Sequence, residues 1–185
     1  RTCIMPNFNG VWSLTTQLQY DADWPKIDSV SRMLRFGGRL TGGSGNDIVD
    51  IRFVTISTQG NEADFGDMTV GRSHFGALSN LTRTVAGGGY DGSSQSDVMD
   101  YVDPNSAGNS TDFGNLVSAR SYTAGLANNT RGVFAGGGGP VDVMEYITIG
   151  STGNTTDFGN LTQGREIMNA GASSTTRGIF FGGNT

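Results

Sequence analysis

The tripeptide Asp-Phe-Gly occurs three times in this chain, at Asp64-Phe65-Gly66, Asp112-Phe113-Gly114 and Asp157-Phe158-Gly159. In protein kinases, the aspartate of this tripeptide binds Mg²⁺ beside the phosphate that is transferred. That reaction also needs a glycine-rich loop over the phosphates, a strand lysine and a catalytic-loop aspartate, and the chain has no such set. Because one active site has no use for three copies, we interpret each phenylalanine as a packing residue and each glycine as a turn residue.

The chain has one histidine, His74, and one cysteine, Cys3. A zinc site would need more imidazole or thiolate ligands than these two residues supply. A Ser-His-Asp or Cys-His arrangement would have to use them, and neither lies in a recognisable catalytic motif. One cysteine excludes an internal disulfide and leaves a buried free thiol, which we favour, or a covalent dimer. The sequence therefore predicts a protein that is not an enzyme and holds no cofactor or metal.

Carboxylates recur at regular intervals along the chain, and clustered carboxylates on glycine-rich loops can bind Ca²⁺. The Asp-x-Asp-x-Asp-Gly calcium loop is absent, however. Turn formation and pairing across strands explain these carboxylates better. The residues are Asp47, Asp97 and Asp142, with Asp50, Asp100 and Glu145.

The composition limits the partners of this 185-residue chain. It has 12 Lys and Arg residues against 17 Asp and Glu, which gives a net charge of −5, and its one lysine is Lys26. Nucleic acids and anionic membrane surfaces both require a basic face, so the sequence predicts neither as a partner. No apolar run approaches the ~18 residues of a membrane-spanning helix. Glycine accounts for 30 residues, which suits many tight turns between short strands.

The three tripeptides are 48 and 45 residues apart and lie in a longer frame that repeats with them. A period of this length indicates copies of one supersecondary unit that bury their faces against each other. We place the repeats at about 31–80, 82–129 and 130–175, with a partial copy at 176–185. Each copy opens with Ser/Thr-Arg, an apolar segment and a glycine pair, and each full copy has an arginine eight residues after the aspartate of its tripeptide. The glycines are Gly37, Gly88, Gly136 and Gly182, and the arginines are Arg72, Arg120 and Arg165.

Short segments with the character of strands fill each repeat. Residues 97–101 combine spaced polar residues with apolar, β-prone ones, which is typical of a half-buried strand. Residues 123–127 are small, which suits a strand packed close to neighbouring backbones. No stretch shows a capped 3.6-residue period. The sequence therefore predicts an all-β chain with about four short antiparallel strands per repeat.

This frame resembles the kelch repeat, in which an apolar strand ends in Gly-Gly and is followed by a second strand, an aromatic residue and an arginine. Phe65, Phe113 and Phe158 stand where kelch repeats usually carry tryptophan. The resemblance covers about residues 31–183 and implies a β-propeller of about four blades, with four strands in each blade.

The two ends of the chain are complementary under this interpretation. The last copy stops after its opening strand, and residues 1–30 contain strand-like segments with Trp24 in the aromatic position. We therefore expect the closing blade to be shared between the termini. We expect residues 1–30 to complete that blade or to contact a partner. The alternative is an open stack that closes only with other copies of the chain or with a longer parent sequence.

The wording of the repeats, including Gly-Asn-x-Thr-Asp-Phe-Gly-Asn-Leu and Val-Met-Glu-Tyr-Ile-Thr-Ile, resembles repeats of structural proteins from marine tailed phages, especially cyanophages. That resemblance implies a virion protein of the tail or its fibres, which acts in assembly and host-surface adsorption. Its partners would be other virion proteins, copies of itself and host-surface glycans. The alternative is a secreted or cell-surface propeller that binds glycans.

Recognition on a repeated scaffold usually lies in the loops that vary between copies. The loops after the glycine pairs vary most, and they carry Tyr90, Asp91 and Pro140. Tyr90 could stack on a sugar ring, although a plain surface loop is the simpler interpretation. The repeated arginines could form an anion-binding ring. We favour a structural role, in which each guanidinium binds loop carbonyls or the repeated acidic residue of a neighbouring unit.

Overall fold

The computed structural model describes residues 32–40, 48–166 and 171–185. These residues form thirteen strands in antiparallel sheets and contain no helix, which confirms the prediction of an all-β chain. Trp24 and the rest of the N-terminal segment lie outside the described residues. The strands are β1 (Arg32–Phe36), β2 (Asp50–Thr55), β3 (Ala63–Asp67), β4 (Gly76–Ser79), β5 (Thr84–Gly87), β6 (Val98–Val102), β7 (Thr111–Asn115), β8 (Ala124–Ala127), β9 (Arg131–Ala135), β10 (Val141–Thr148), β11 (Thr156–Arg165), β12 (Gly171–Ser173) and β13 (Gly178–Phe180).

The strands form four sheets in chain order. Sheet one is β1-β2-β3, sheet two is β4-β5-β6-β7, sheet three is β8-β9-β10-β11, and sheet four is β12-β13. Sheets two and three each join the last strand of one sequence repeat to the first three strands of the next repeat. The structural unit is therefore one strand out of phase with the repeat that the sequence shows.

Local turn chemistry explains this phase. The side-chain oxygen of Asn80 accepts hydrogen bonds from the backbone N–H groups of Thr82, at 2.9 Å, and Arg83, at 2.8 Å. Asn128 makes the same two bonds to Thr130 and Arg131. Such an asparagine turn closes a hairpin, so the small-residue strand pairs with the strand that follows it.

Consecutive sheets contact each other through their first strands, β4 with β8 and β8 with β12. Glycine allows the close approach. A Cβ atom on Gly125 would lie 2.5 Å from the carbonyl oxygen of Ala77, and the N–H of Gly76 donates to the hydroxyl of Thr123 at 2.8 Å. Larger side chains would force these strands apart.

The hydrophobic core of the described residues has two large layers and a small one, each between consecutive sheets. The small layer joins Ala124 and Ala135 of sheet three to Phe180 of sheet four. Burying one such aromatic or aliphatic side chain stabilises the fold by about 1.5–3 kcal/mol. Because each layer has side chains from two sheets, its burial holds those sheets together. The first layer joins Phe36, Ile51, Phe65 and Met68 of the sheet-one side to Ala86 and Val102, and the second joins Leu78, Val85, Met99, Phe113 and Leu116 to Phe134, Ile147 and Ile149.

The register of β2 differs from the one that the sequence indicates. The pairings β2–β3, β6–β7 and β10–β11 each shift register directly before Arg52, Asp100 and Glu145, respectively. Arg52 therefore occupies the position of the acidic residues in sheets two and three. Aligning the repeats by sequence places Asp50 there, which is wrong because the loop after the glycine pair of the first repeat is longer than in the other repeats.

Candidate functional site

The three phenylalanines of the repeated tripeptide occupy equivalent positions but differ in how far their side chains are buried. Each ring packs edge-on against an aromatic ring of the adjacent strand, with centroids 5.8–6.1 Å apart. Phe65 and Phe113 are 2 % exposed because the next sheet covers them, whereas Phe158 is 45 % exposed. The aromatic position thus belongs to the junction between consecutive sheets.

The glycine of the tripeptide contacts the Gly-Asn of the following repeat. A Cβ atom on Gly66 would overlap the carbonyl of Gly108, and one on Gly114 would overlap the carbonyl of Gly153. Both tripeptide glycines have positive φ, 149° and 136°. The next residue completes each contact, since the side chain of Asn109 accepts from the Asp67 N–H at 3.1 Å. The two motifs are therefore the halves of one junction between sheets.

Arg72 lies at the junction between sheets one and two with its guanidinium fully buried. Its Nη2 is 2.5 Å from Oδ2 of Asp100, and its Nη1 donates to the carbonyls of Gly88 and Val98. The hydroxyl of Thr69 donates to the second oxygen of Asp100. Burial lowers the pKa of the Arg72 guanidinium, and the charge of Asp100 opposes that shift.

Arg120 repeats this arrangement one sheet further on. Its Nη2 lies 2.7 Å from Oε1 of Glu145, as an ion pair without the angle of a hydrogen bond. The other carboxylate oxygen of Glu145 accepts from the Val117 N–H at 3.0 Å and from the hydroxyl of Thr155. Burial lowers the pKa of Arg120 and the charge of Glu145 raises it. Neither buried guanidinium is open to an anion from solution.

The third arginine of this set, Arg165, is half-buried and donates to the carbonyl of Gly183 at 3.2 Å. The four glycines singled out in the sequence each come just after an apolar strand and have positive φ. Their φ angles are 44°, 75°, 69° and 69° for Gly37, Gly88, Gly136 and Gly182.

A second set of arginines ties each repeat to the next one. The guanidinium carbons of Arg32, Arg83 and Arg131 lie 4.5–4.7 Å from the centroids of Phe53, Tyr101 and Tyr146. Arg32 also donates to the carbonyl of Pro104 at 3.1 Å, and Arg83 to that of Ile149 at 2.9 Å. Both carbonyls belong to the following repeat, so these contacts also hold consecutive sheets together.

A group of aromatic residues lies where the first strands of sheets two and three begin. We call the surface formed by Ser73, His74, Tyr90 and Tyr122 the loop-end surface. His74 and Tyr122 each follow a repeated arginine by two residues, and both have positive φ, 56° and 57°. Their ring centroids are 4.5 Å apart, and His74 is exposed. A non-glycine residue in this conformation costs about 1–3 kcal/mol, and such residues cluster at functional sites.

Backbone bonds hold the loop-end surface together across sheets two and three. Ser73 and Tyr90 pair as a β-bridge with N–O distances of 2.9 and 2.8 Å. The N–H of Tyr122 donates to the carbonyl of His74, and the N–H of Gly138 donates to the carbonyl of Ser121 at 2.7 Å. The rings of this surface are thus carried on a fixed backbone.

The predicted recognition residues have different environments. Tyr90 is half-buried at the loop-end surface, with the guanidinium carbon of Arg39 5.9 Å from its ring. Asp91 accepts hydrogen bonds from the N–H groups of Ser94 and Ser93 at 2.7 and 2.8 Å, and these bonds lower its pKa to about 2. Asp91 therefore holds the turn beside Tyr90. Pro140 is exposed two residues after Gly138.

Sequence reasoning missed His74 and Tyr122 as a pair. His74 was considered only for metal binding and catalysis, and the described residues contain no group of three His, Cys, Asp or Glu side chains that could hold a metal ion. The signal was present, since Arg72-Ser73-His74 and Arg120-Ser121-Tyr122 share one pattern.

Within the described part of the chain, no helix is long and apolar enough to cross a membrane.

These features define an all-β repeat protein whose sheets are linked by recurring junctions. No protein-family model and no curated protein matches the chain. Among solved structures 118 chains match, and one of them is described as the structure of YjhT. The two chains are similar with a TM-score of 0.63 at 15 % identity, over 75 % of this chain and 46 % of that one. This chain thus spans about half the length of YjhT, and the likeness is one of fold.

Proposed function

We propose that the four sheets are blades of a kelch-like β-propeller, closed by strands from both ends of the chain. Three observations support this proposal. The complete sheets have four antiparallel strands in chain order, the sheets contact each other through their first strands, and the same junction recurs between consecutive sheets. Repetition of this kind around an axis leaves few exposed sheet edges.

On this scaffold, we propose a non-enzymatic virion protein of a phage tail or tail fibre that serves in assembly and host-surface adsorption. The observation that carries the proposal is the use of the repeated ionisable residues. Arg72 pairs with Asp100 and Arg120 pairs with Glu145, and both pairs are buried at junctions between sheets. These repeated residues therefore hold the sheets together and are not available for chemistry on a substrate. The repeat sequences resemble those of tail proteins of marine phages, and this resemblance is the reason for proposing a phage tail. Its partners there would be other virion proteins and copies of itself.

Competition for adsorption tests this function. The purified chain, added to host cells before the phage that encodes it, should slow adsorption in proportion to its concentration. The His74→Ala/Tyr122→Ala variant should compete less well. Val117→Ala, which changes an exposed residue earlier on the same strand connection as Tyr122, should compete like the natural chain. Unchanged adsorption at saturating protein would contradict an adsorption role.

The loop-end surface favours one alternative function, a secreted or cell-surface module that binds glycans. The half-buried rings of Tyr90 and Tyr122 can stack on the apolar face of a sugar, and their hydroxyls and the exposed imidazole of His74 can bind its hydroxyls. A glycan array with the isolated 185-residue chain would test this alternative. Specific binding that is lost in Tyr122→Ala and kept in Val117→Ala would favour it, and an array without signal would oppose it.

A further inference from the structure

One position at the loop ends keeps its backbone contact from repeat to repeat while its side chain changes. It is the residue that follows the glycine pair, and its N–H donates to the carbonyl of the residue after the repeated arginine. The N–O distances of this bond are 2.8 Å for Tyr90, 2.7 Å for Gly138 and 3.2 Å for Asn184. The side chains at this position are a guanidinium, a phenol, a hydrogen atom and a carboxamide, in Arg39, Tyr90, Gly138 and Asn184. Side chains that vary on a repeated backbone are where recognition usually lies.

Ionised side chains flank the middle of this series and leave the middle uncharged. Arg39 precedes it, with its guanidinium carbon 5.9 Å from the ring of Tyr90, and Glu166 follows it, in the bridge with the last member of the series. The loop-end surface between them has no carboxylate and no guanidinium among its four residues. Asp91 turns both carboxylate oxygens toward hydrogen-bond donors of its own turn. An uncharged ligand therefore suits the middle, whereas an anion would have to lie at the Arg39 rim.

The missing side chain of Gly138 brings a carboxamide next to the loop-end surface. A Cβ atom built on Gly138 would lie 3.1 Å from Cδ2 of Tyr122 and 3.5 Å from Nε2 of Gln95. The ring and the carboxamide therefore border the same small space. Gln95 also pairs with Tyr90 as a β-bridge, which fixes its backbone. Because Gly138 leaves this space open, Tyr122 and Gln95 can contact one ligand together.

The imidazole of His74 adds a second polar group beside the ring of Tyr122. Its Nδ1 is 2.9 Å from the hydroxyl oxygen of Ser73, and its ring centroid is 4.5 Å from that of Tyr122. These contacts fix the imidazole, and because the residue is exposed, they leave Nε2 on the opposite edge of the ring for a ligand. A saccharide matches this group of side chains, since it presents an apolar ring face together with hydroxyl groups.

We propose that the loop-end surface, together with Gln95 and Gly138, is a binding site for an uncharged saccharide. Tyr122 packs against the apolar face of the sugar ring, and the carboxamide of Gln95 and the Nε2 of His74 bind its hydroxyl groups. Gly138 determines specificity by leaving room for the sugar, and Gln95 does so through its hydrogen bonds. This inference rests on the recognition role proposed above and names the class of glycan.

An array that carries uncharged and acidic oligosaccharides at equal density tests this site. The natural chain should bind uncharged glycans, and the signal should not fall as salt is raised, because no ion pair is involved. Gln95→Ala should weaken binding by about 3- to 10-fold, the usual effect of losing one hydrogen bond between uncharged groups. Gly138→Ala should also weaken it, because the new methyl group would fill the space and press on the ring of Tyr122. Gly150→Ala is the matched control, since its Cβ would meet no described atom within 4 Å.

Three results would overturn the proposal. Signal from acidic glycans alone would assign binding to the Arg39 rim, equal binding by Gln95→Ala and Gly150→Ala would place the sugar elsewhere, and an array without signal would exclude this class of ligand. The adsorption experiment separates these failures from a failure of the virion role. A chain that slows adsorption but binds no uncharged glycan keeps the adsorption role and loses this site. A chain that binds uncharged glycans through Gln95 but does not slow adsorption keeps this site and loses the virion role.

Discussion

Arg72 and Asp100 are withdrawn from solvent together, with Nη2 and Oδ2 2.5 Å apart at the junction between two sheets. A buried charge that loses its partner is left without compensation, which costs about 3–5 kcal/mol. We therefore expect Asp100→Ala to reduce the free energy of unfolding by about that amount in urea titrations. Glu62→Ala is the matched control and should cost little, since its pair with Arg35 is half-exposed and solvent screens such pairs. Equal losses in both variants would contradict the structural role of the buried pair.

The glycine of the tripeptide gives a second prediction. Gly66→Ala should destabilise the protein by about 1–3 kcal/mol, because its Cβ would meet the Gly108 carbonyl at a positive φ. Gly108→Ala should be tolerated, since open space surrounds its Cβ among the described residues. Thermal unfolding of both variants measures the difference. A harmless Gly66→Ala would show that the two motifs do not touch.

The unequal burial of the phenylalanines predicts unequal losses in the free energy of unfolding when each is changed to alanine. Phe113→Ala should cost about 3–5 kcal/mol, the usual range for a buried aromatic residue. Phe158→Ala should cost less, because 45 % of this residue is exposed. Urea titrations of the two variants make the comparison, and a larger loss for Phe158→Ala would contradict the assigned cover.

The fold was predictable from the sequence to the extent that local patterns determine it. The period, the all-β class and the short strands follow from repeated apolar segments and turn residues. The phase of the sheets did not follow, because the hairpin made by Asn80 joins strands from two sequence repeats. The position of Arg52 was hidden by a loop of different length, and only strand pairing reveals the register.

The candidate site was less predictable than the fold. Tyr90 was chosen because its loop varies, whereas His74 and Tyr122 lie at an equivalent position beside a repeated arginine. What unites them is a left-handed backbone and a ring contact between sheets, and neither can be read from composition. Long-range junctions between repeats therefore determine this surface.

The turn at Asp91 predicts a pH-dependent local change. Hydrogen bonds from Ser94 and Ser93 lower the pKa of Asp91 from 3.8 to about 2. A depressed pKa means that the turn is stabilised fully above pH 3.8 and loses that stabilisation as the pH falls through about 2. NMR titration of the Ser94 amide should show a midpoint near pH 2, and Asp91→Asn should remove it. A midpoint near 3.8 would contradict the bonded turn.

The proposed place of this protein in a phage tail can be tested directly by mass spectrometry of purified particles. Particles of the phage that encodes the chain would be banded on a density gradient, and the tails separated from the heads before digestion. We expect peptides of this chain in the tail fraction, in constant ratio to known tail proteins across the band. Their absence from the particles, with the protein found free in the culture medium, would contradict it and favour the secreted glycan-binding alternative.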